Sequence, residues 1–179
     1  MDMMEINNIR YYILITTFLS FLAFFSTVEA KQLPSPQYVY HLSSIIIKDY
    51  EKLYLKPKRD IDGKYILGYG DKKCAIKYKK YKSISMYQAE TCLKEEISRI
   101  YNHIHSIFPC LRYNQTIALI VLEYNVGKSA FRKSKLVQAI KKKQYKNIKK
   151  EWLSFYNHKH KGQSGLKKRR EFEYQLFIS

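Results

Sequence analysis

Apolar positions from Pro36 onward fall at helical spacing. Val39, Leu42, Ile46, Tyr50 and Leu53 recur three and four residues apart, which places them on one face of a helix capped by Ser35 and opened by Pro36. The stretch before it, Gln32 to Gln37, holds two prolines and reads as an exposed leader. Over residues 54–74 the period breaks. Pro57, Gly63, Gly68 and Gly70 separate two β-prone runs, Lys64-Tyr65-Ile66-Leu67 and Cys74-Ala75-Ile76, predicting a small hairpin or a three-stranded sheet. Helical spacing returns at Ser85-Met86-Tyr87-Gln88, a capping-box pattern. Ala89, Leu93, Ile97, Ile100 and Ile104 then form a stripe that stops short of Pro109. That helix runs about twenty residues, roughly 30 Å, long enough to bridge two lobes.

The next segment is apolar on every side from Ile117 to Leu122, the mark of a buried helix, with Asn114 as its cap and Gly127 as its stop. Three shorter helical patterns follow: Ser134 to Lys142, Tyr145 to Tyr156 with Trp152 and Phe155 on one face, and Leu166 to Phe177. A polar loop, HKHKGQSG, separates the last two. These elements predict an α+β fold. A small N-terminal lobe containing the sheet is joined by the long helix to a helical C-terminal lobe, with a cleft between them as the natural binding site.

The first thirty residues stand apart. Tyr11 to Val28 carries no charge, and Val28-Glu29-Ala30 offers a signal-peptidase site. Residues 1–30 are therefore expected to be a signal peptide, with export outside the cell or to the periplasm. The competing reading is a retained membrane anchor, because the apolar run sits at the lower edge of spanning length. Residues 31–179 form one domain.

Composition narrows the partners. The chain has 179 residues, 46% of them hydrophobic, and a formal net charge of +18. Such a charge suits nucleic acid, anionic membrane or an anionic wall polymer. No nucleic-acid-binding motif is present, so nucleic acid is not expected as a partner. The run Lys141-Lys142-Lys143 reads as a solvated helix end favoured by the helix dipole. The three cysteines, Cys74, Cys92 and Cys110, match no metal-ligand spacing. One pair can bridge in an oxidising compartment, and spacing does not say which. Small buried hydrophobes are an equally good reading.

The chemistry concentrates between Tyr50 and Asp71, where Glu51, Asp60, Asp62 and Asp71 surround the Gly-x-Gly turn Gly68-Tyr69-Gly70. Glycosidic cleavage needs one carboxylic acid to protonate the leaving oxygen and a second carboxylate to activate water or attack the sugar. A Glu51 at a helix end and an Asp60 at the sheet can face each other across a cleft. Asp62, beside Gly63, reads as a turn residue.

The stretch YEKLYLKPKRDIDGKYILGYGD resembles the motif of the phage-type lysozymes, glycoside hydrolase family twenty-four. That motif is Glu, eight residues, Asp or Cys, five residues, Thr, then Ile-Gly-Tyr-Gly. Here eight residues separate Glu51 from Asp60, and five more lead to Ile66 and the turn Leu67-Gly68-Tyr69-Gly70. RYNQTIALIVLEYNVGKSAFRKSKL and GLKKRREFEYQLF resemble two later family blocks, in the right order.

The resemblance implies a lysozyme-like fold and a muramidase that cleaves the β-1,4 bond between N-acetylmuramic acid and N-acetylglucosamine in peptidoglycan, as a monomer without cofactor. It implies Glu51 as general acid. Asp60 becomes the carboxylate that activates water or stabilises the oxocarbenium-like state, with inversion at the anomeric carbon. Tyr69 and Asn125 are expected to line or support the cleft, and Arg169 or Arg170 to reach back toward Glu51. The chain departs from the motif at Ile66, where the family has a water-positioning Thr, at Asp71, often His, and at Lys52, usually Gly. Ile66 supports an alternative: an impaired lysozyme fold acting as a peptidoglycan-binding or scaffolding module.

Overall fold

The structure, a computed structural model, describes residues 36–60, 62–156 and 164–179. The signal or anchor segment, the Ser35 cap and most of the HKHKGQSG loop lie outside them. Within Pro34–Ser179, a single compact unit, helices surround one buried helix and a short hairpin closes one side.

Helix α1 spans Pro36–Tyr50. Its buried line is Val39, Ser43, Ser44 and Ile47, while Leu42 and Ile46 flank it as half-buried side chains. The apolar stripe thus lies slightly to one side of the line that packs, and Leu53 falls beyond the helix. Strands β1 (Tyr54–Arg59) and β2 (Tyr65–Gly68) pair antiparallel, with Arg59 opposite Tyr65 and Lys58 opposite Ile66. Pairing is irregular between Tyr54 and Lys58. Pro57 lies in that interval and has no N–H to donate, which an edge strand tolerates.

The sheet has two strands and not three. Cys74-Ala75-Ile76 belongs to helix α2 (Lys72–Lys77). Asp71 caps that helix by accepting from the Lys73 N–H at 2.7 Å. Cys74 and Ala75 turn inward while Ile76 is 69% exposed. A β-prone triplet became helical because the cap and the packing outweighed propensity. Gly68 (φ 60°) and Gly70 (φ 82°) make the preceding turn, in backbone conformations that other residues avoid.

Helix α3 (Met86–Ile107) starts on the expected capping box, with Ser85 N–H donating to Gln88 Oε1 at 2.8 Å and Gln88 N–H to Ser85 Oγ at 3.2 Å. The whole predicted stripe is buried, together with Cys92. Cys92 forms a disulfide with Cys74, tying α2 to α3 across a Cα–Cα distance of 5.7 Å, and Cys110 is a free, exposed thiol.

Helix α4 (Tyr113–Val126) is the core element: every residue from Thr116 to Glu123 is buried. It packs on α1 and α3 and on the last helix, α8 (Ser164–Ile178). A His103–Glu123 pair, Nδ1 to Oε2 at 2.8 Å, links α3 to α4 inside the core. Asn114 does not cap α4. Arg112 holds that position, its N–H donating to Gln115 Oε1, and Asn114 donates to Ser179 Oγ at the end of α8. Gly127 (φ 81°) ends the helix as its spacing predicted.

Three short helices follow, α5 (Lys128–Lys133), α6 (Lys135–Lys141) and α7 (Tyr145–Leu153). Only the first was illegible in the sequence: it buries one side chain, Phe131, so it has no stripe. Trp152 of α7 is fully buried, its ring 5.1 Å from that of Phe177 on α8. The Cys74–Cys92 bridge closes a loop at a sequence separation of 18. Chain-entropy arguments give such a loop about 3 kcal/mol. Denaturant unfolding with and without reductant is expected to show a loss of that order, and the Cys74→Ala/Cys92→Ala chain should match the reduced protein.

Candidate active site

A cleft of about 590 Å³ opens where the end of α1, the hairpin and the glycine turn face the C-terminal end of α4. Glu51, Asp60, Ile66, Tyr69 and Asn125 all line it. Residues far apart in the chain are brought together here for identifiable reasons. Glu51 directly follows α1, its N–H still bonded to the Ile47 carbonyl at 2.9 Å. Asp60 follows β1, at the first position of the hairpin turn, where Gly63 N–H donates to its carbonyl at 2.9 Å.

Glu51 is held from the far end of the chain. Arg169 Nη1 donates to Glu51 Oε1 at 2.7 Å. The same guanidinium donates through Nε to Glu173 Oε1 at 3.1 Å and lies 4.8 Å from the Tyr50 ring centre. Glu173 is fully buried. It also accepts from Arg170 Nη2 at 2.8 Å and from the Trp152 indole N–H at 3.2 Å. Burial pushes the Glu173 carboxyl above its usual range, and the two arginines with the Trp152 bond pull it back. Burial likewise pulls Arg170 down to about 10, against the pull of Glu173. Arg170 therefore stays charged at neutral pH. Of the two arginines expected to reach toward Glu51, Arg169 makes the contact; Arg170 instead donates to Asn125 Oδ1 at 3.0 Å.

The glycine turn forms the floor. Glu51 Oε2 lies 3.8 Å from where a β-carbon on Gly70 would stand, so the carboxylate rests against bare backbone. Tyr69 is nearly buried and donates from its hydroxyl to Glu90 Oε1 at 2.7 Å. Burial, reinforced by Glu90, raises its pKa to about 12. The Tyr69 carbonyl accepts from the Tyr124 hydroxyl at 2.9 Å, fastening the turn to α4. Tyr69 thus supports the floor more than it offers a free hydroxyl to the cleft.

Asp60 sits at the rim. Lys72 Nζ is 3.4 Å from Asp60 Oδ2 and 2.8 Å from Asp62 Oδ2, so one ammonium spans both carboxylates. The Asp62 pair draws its carboxyl below the usual range, the Lys72 hydrogen bond being the largest cause. Ile66 is only 9% exposed and presents hydrocarbon to the cleft where the motif has a hydroxyl. Asp71 serves as the α2 cap, and burial raises its pKa despite the Lys73 N–H bond.

Sequence reasoning missed several participants, among them Lys72 beside Asp60 and Glu90 behind Tyr69. Glu96, paired with Lys73 at 3.0 Å and with Arg99, also lines the cleft, as does Tyr124. Glu173 and Trp152 support Arg169 from behind. Only Glu173 had a signal, its spacing three and four residues from Arg170 and Arg169 on one helix. Among the described residues, no three His, Cys, Asp or Glu side chains gather as a metal site.

Glu173→Gln removes the buried charge that Arg169 and Arg170 share. Breaking a buried pair from one side costs about 3–5 kcal/mol. Denaturant unfolding is expected to show a loss of that order, against less than about 0.5 kcal/mol for the surface change Glu171→Gln.

The Phage lysozyme family model matches residues 48–173. The endolysin of Acyrthosiphon pisum secondary endosymbiont phage 1 is 31% identical over 140 residues, covering 75% of this chain and 94% of that protein. Among solved structures, a variant of P22 lysozyme superposes with a TM-score of 0.61 at 26% identity, over 77% of this chain and 96% of that one. The muramidase domain of SpmX from Asticaccaulis excentricus reaches a TM-score of 0.64 at 21% identity, over 77% and 95% of the two chains, a likeness of fold. The matched span runs from the last turn of α1 to Glu173, and so takes in the residues that line the cleft and the part of α8 that carries Arg169: the chain belongs to the phage lysozyme family of glycoside hydrolases.

Proposed function

We propose that the protein is a secreted muramidase in which Glu51 and Asp60 do the chemistry. The observation that supports this most is the placement of both carboxylates on one cleft, with Glu51 fixed by Arg169 at 2.7 Å. The substrate is the β-1,4 bond of peptidoglycan. Glu51 donates its proton to the glycosidic oxygen as the bond to the anomeric carbon breaks. Asp60 takes a proton from a water molecule that attacks that carbon from the opposite face. The product is a new reducing end of α configuration; Asp60 then releases its proton to solvent and Glu51 regains one, which restores the starting state.

Arg169 positions Glu51 without taking part in bond breaking. The chain's net charge of +18 favours approach to an anionic wall, while in the cleft Lys52, Lys72, Lys73 and Lys128 are matched by Glu51, Asp60, Asp71 and Glu96. Residues 1–30 direct export, as a cleaved signal peptide or as a retained anchor, and the enzyme acts as a monomer. No helix among the described residues is long and apolar enough to cross a membrane.

Ile66 favours a second reading, a wall-binding lysozyme fold with little turnover. Its side chain supplies no hydrogen bond to hold the attacking water, and such a preorganised donor is worth about 10²–10³ in kcat where it has been removed from other enzymes. One experiment separates the two. In a reducing-end assay on purified peptidoglycan, the wild-type chain is expected to turn over and Glu51→Gln to lose about 10²–10⁴-fold. Ile66→Thr is expected to raise kcat with little change in KM. A wild-type chain that binds walls without releasing reducing ends, and gains activity only with Ile66→Thr, establishes the second reading instead.

A further inference from the structure

The cleft wall contributed by α4 ends at Gly127, and the next residue, Lys128, still lines the cleft. From Lys128 to Lys150 the chain has ten lysines and arginines and no aspartate or glutamate; Glu151 is the first carboxylate after the run. All ten cations are exposed. Helices α5, α6 and α7 turn Phe131, Leu136, Val137, Ile148 and Trp152 inward, which leaves the cations on the outer side.

Elsewhere cations and carboxylates are mixed: Lys52, Lys56, Lys79, Lys80 and Lys82 form no ion pair among the described residues, but other lysines do. Lys48, Lys72, Lys73 and Lys77 each meet a carboxylate within 3.0 Å. Among the described residues, none of the ten cations from 128 to 150 forms an ion pair. Lys146, Lys149 and Lys150 also stand three and four residues apart on α7, where like charges repel. The α6–α7 turn places Lys143 at φ 52°, a conformation ordinarily left to glycine or asparagine, and makes it the third lysine in a row. Lys149 Nζ lies 5.8 Å from the Tyr174 ring centre, and Lys141 and Lys150 sit in last helical turns that favour cations, but no carboxylate among the described residues neutralises this face, so a partner of opposite charge is its natural complement.

The surface chemistry narrows that partner. Tyr145, 69% exposed, is the one large hydrophobic side chain exposed between residues 128 and 150. A helix that enters a bilayer needs an apolar face, and the apolar faces here are spent on the core. Single-stranded nucleic acid is held by several stacking aromatics, and one tyrosine does not make such a platform. What remains is recognition through repeated charge. We propose that the outer face of α5, α6 and α7 is a docking surface for a phosphodiester-linked anionic polymer of the bacterial wall, continuous with the cleft at Lys128. This rests on the reading of the cleft as wall-degrading. Binding the polymer holds the cleft at high local concentration beside glycan strands.

The test uses the full chain carrying Glu51→Gln, so that walls are not digested, in cosedimentation with walls that retain their phosphodiester polymer and walls chemically stripped of it. Retention of the polymer is expected to tighten binding at least 10-fold. Substituting Lys142, Lys143, Lys146, Lys149 and Lys150 by Gln together should abolish that preference. It should also flatten the plot of log affinity against log salt by about 3.5–4.5, the scale for five phosphate contacts. A matched variant with Lys56, Lys79, Lys80, Lys82 and Lys168 changed to Gln loses the same charge elsewhere and should keep the preference. Equal losses in both variants, no difference between the two kinds of wall, or tighter binding to phosphatidylglycerol vesicles or single-stranded DNA than to polymer-bearing walls would overturn the proposal. Failure of the cleft reading shows separately, as a wild-type chain that releases no reducing ends from either kind of wall.

Discussion

Glu51 stands where it does because a guanidinium 118 residues later in the chain reaches it. Arg169 in turn stays in place because Glu173 binds its other edge inside the core. A fully buried carboxylate is tolerable only when charge and hydrogen bonds replace its lost hydration. Here Arg169, Arg170 and the Trp152 indole do so together. The Trp152 bond ties α8 to α7, and the two arginines tie it to α4 by donating to the Val121 carbonyl and to Asn125 Oδ1. Fold stability and the placement of Glu51 thus share one network through Arg169.

The opposite side of the cleft depends on backbone more than on charge. Positive φ at Gly68 and Gly70 folds the chain back so that the turn passes close beneath Glu51. Asp71 then starts α2, the disulfide pins α2 to α3, and Tyr124 ties the turn's carbonyl to α4. Asp60 and Ile66 ride on the hairpin above this floor. A β-branched residue suits the strand position of Ile66 and is nearly buried there, so packing accounts for Ile66 even though the chemistry of the motif calls for a hydroxyl. The hairpin is where packing and the family motif call for different side chains.

The net charge of +18 is unevenly matched across the molecule. Around the hairpin, α2 and α3, lysines alternate with carboxylates and pair with them. From Lys128 to Lys150 the only charged side chains are cations, along three helices too short to have stable existence without the core they cover. Exposed lysines do little for folding, so this face is free to serve association with an anionic surface.

The sequence by itself determined the long helix, its capping box, the buried helix and its glycine stop, because these depend on local periodicity and on side chains within a few residues. It also determined the register of Glu51, Asp60 and the glycine turn, since a motif fixes spacing. The tertiary structure decided the rest. It made Cys74-Ala75-Ile76 helical, because burial and the Asp71 cap outweighed β propensity. It chose Cys74 and Cys92 as the bridged pair, which spacing left open, because only packing of α2 on α3 brings their Cα atoms to 5.7 Å. It chose Arg169 over Arg170 for Glu51, because adjacent residues on a helix point about 100° apart and only one can face the cleft. Such choices depend on contacts between distant segments, and no local pattern records which of two equivalent side chains will meet its partner.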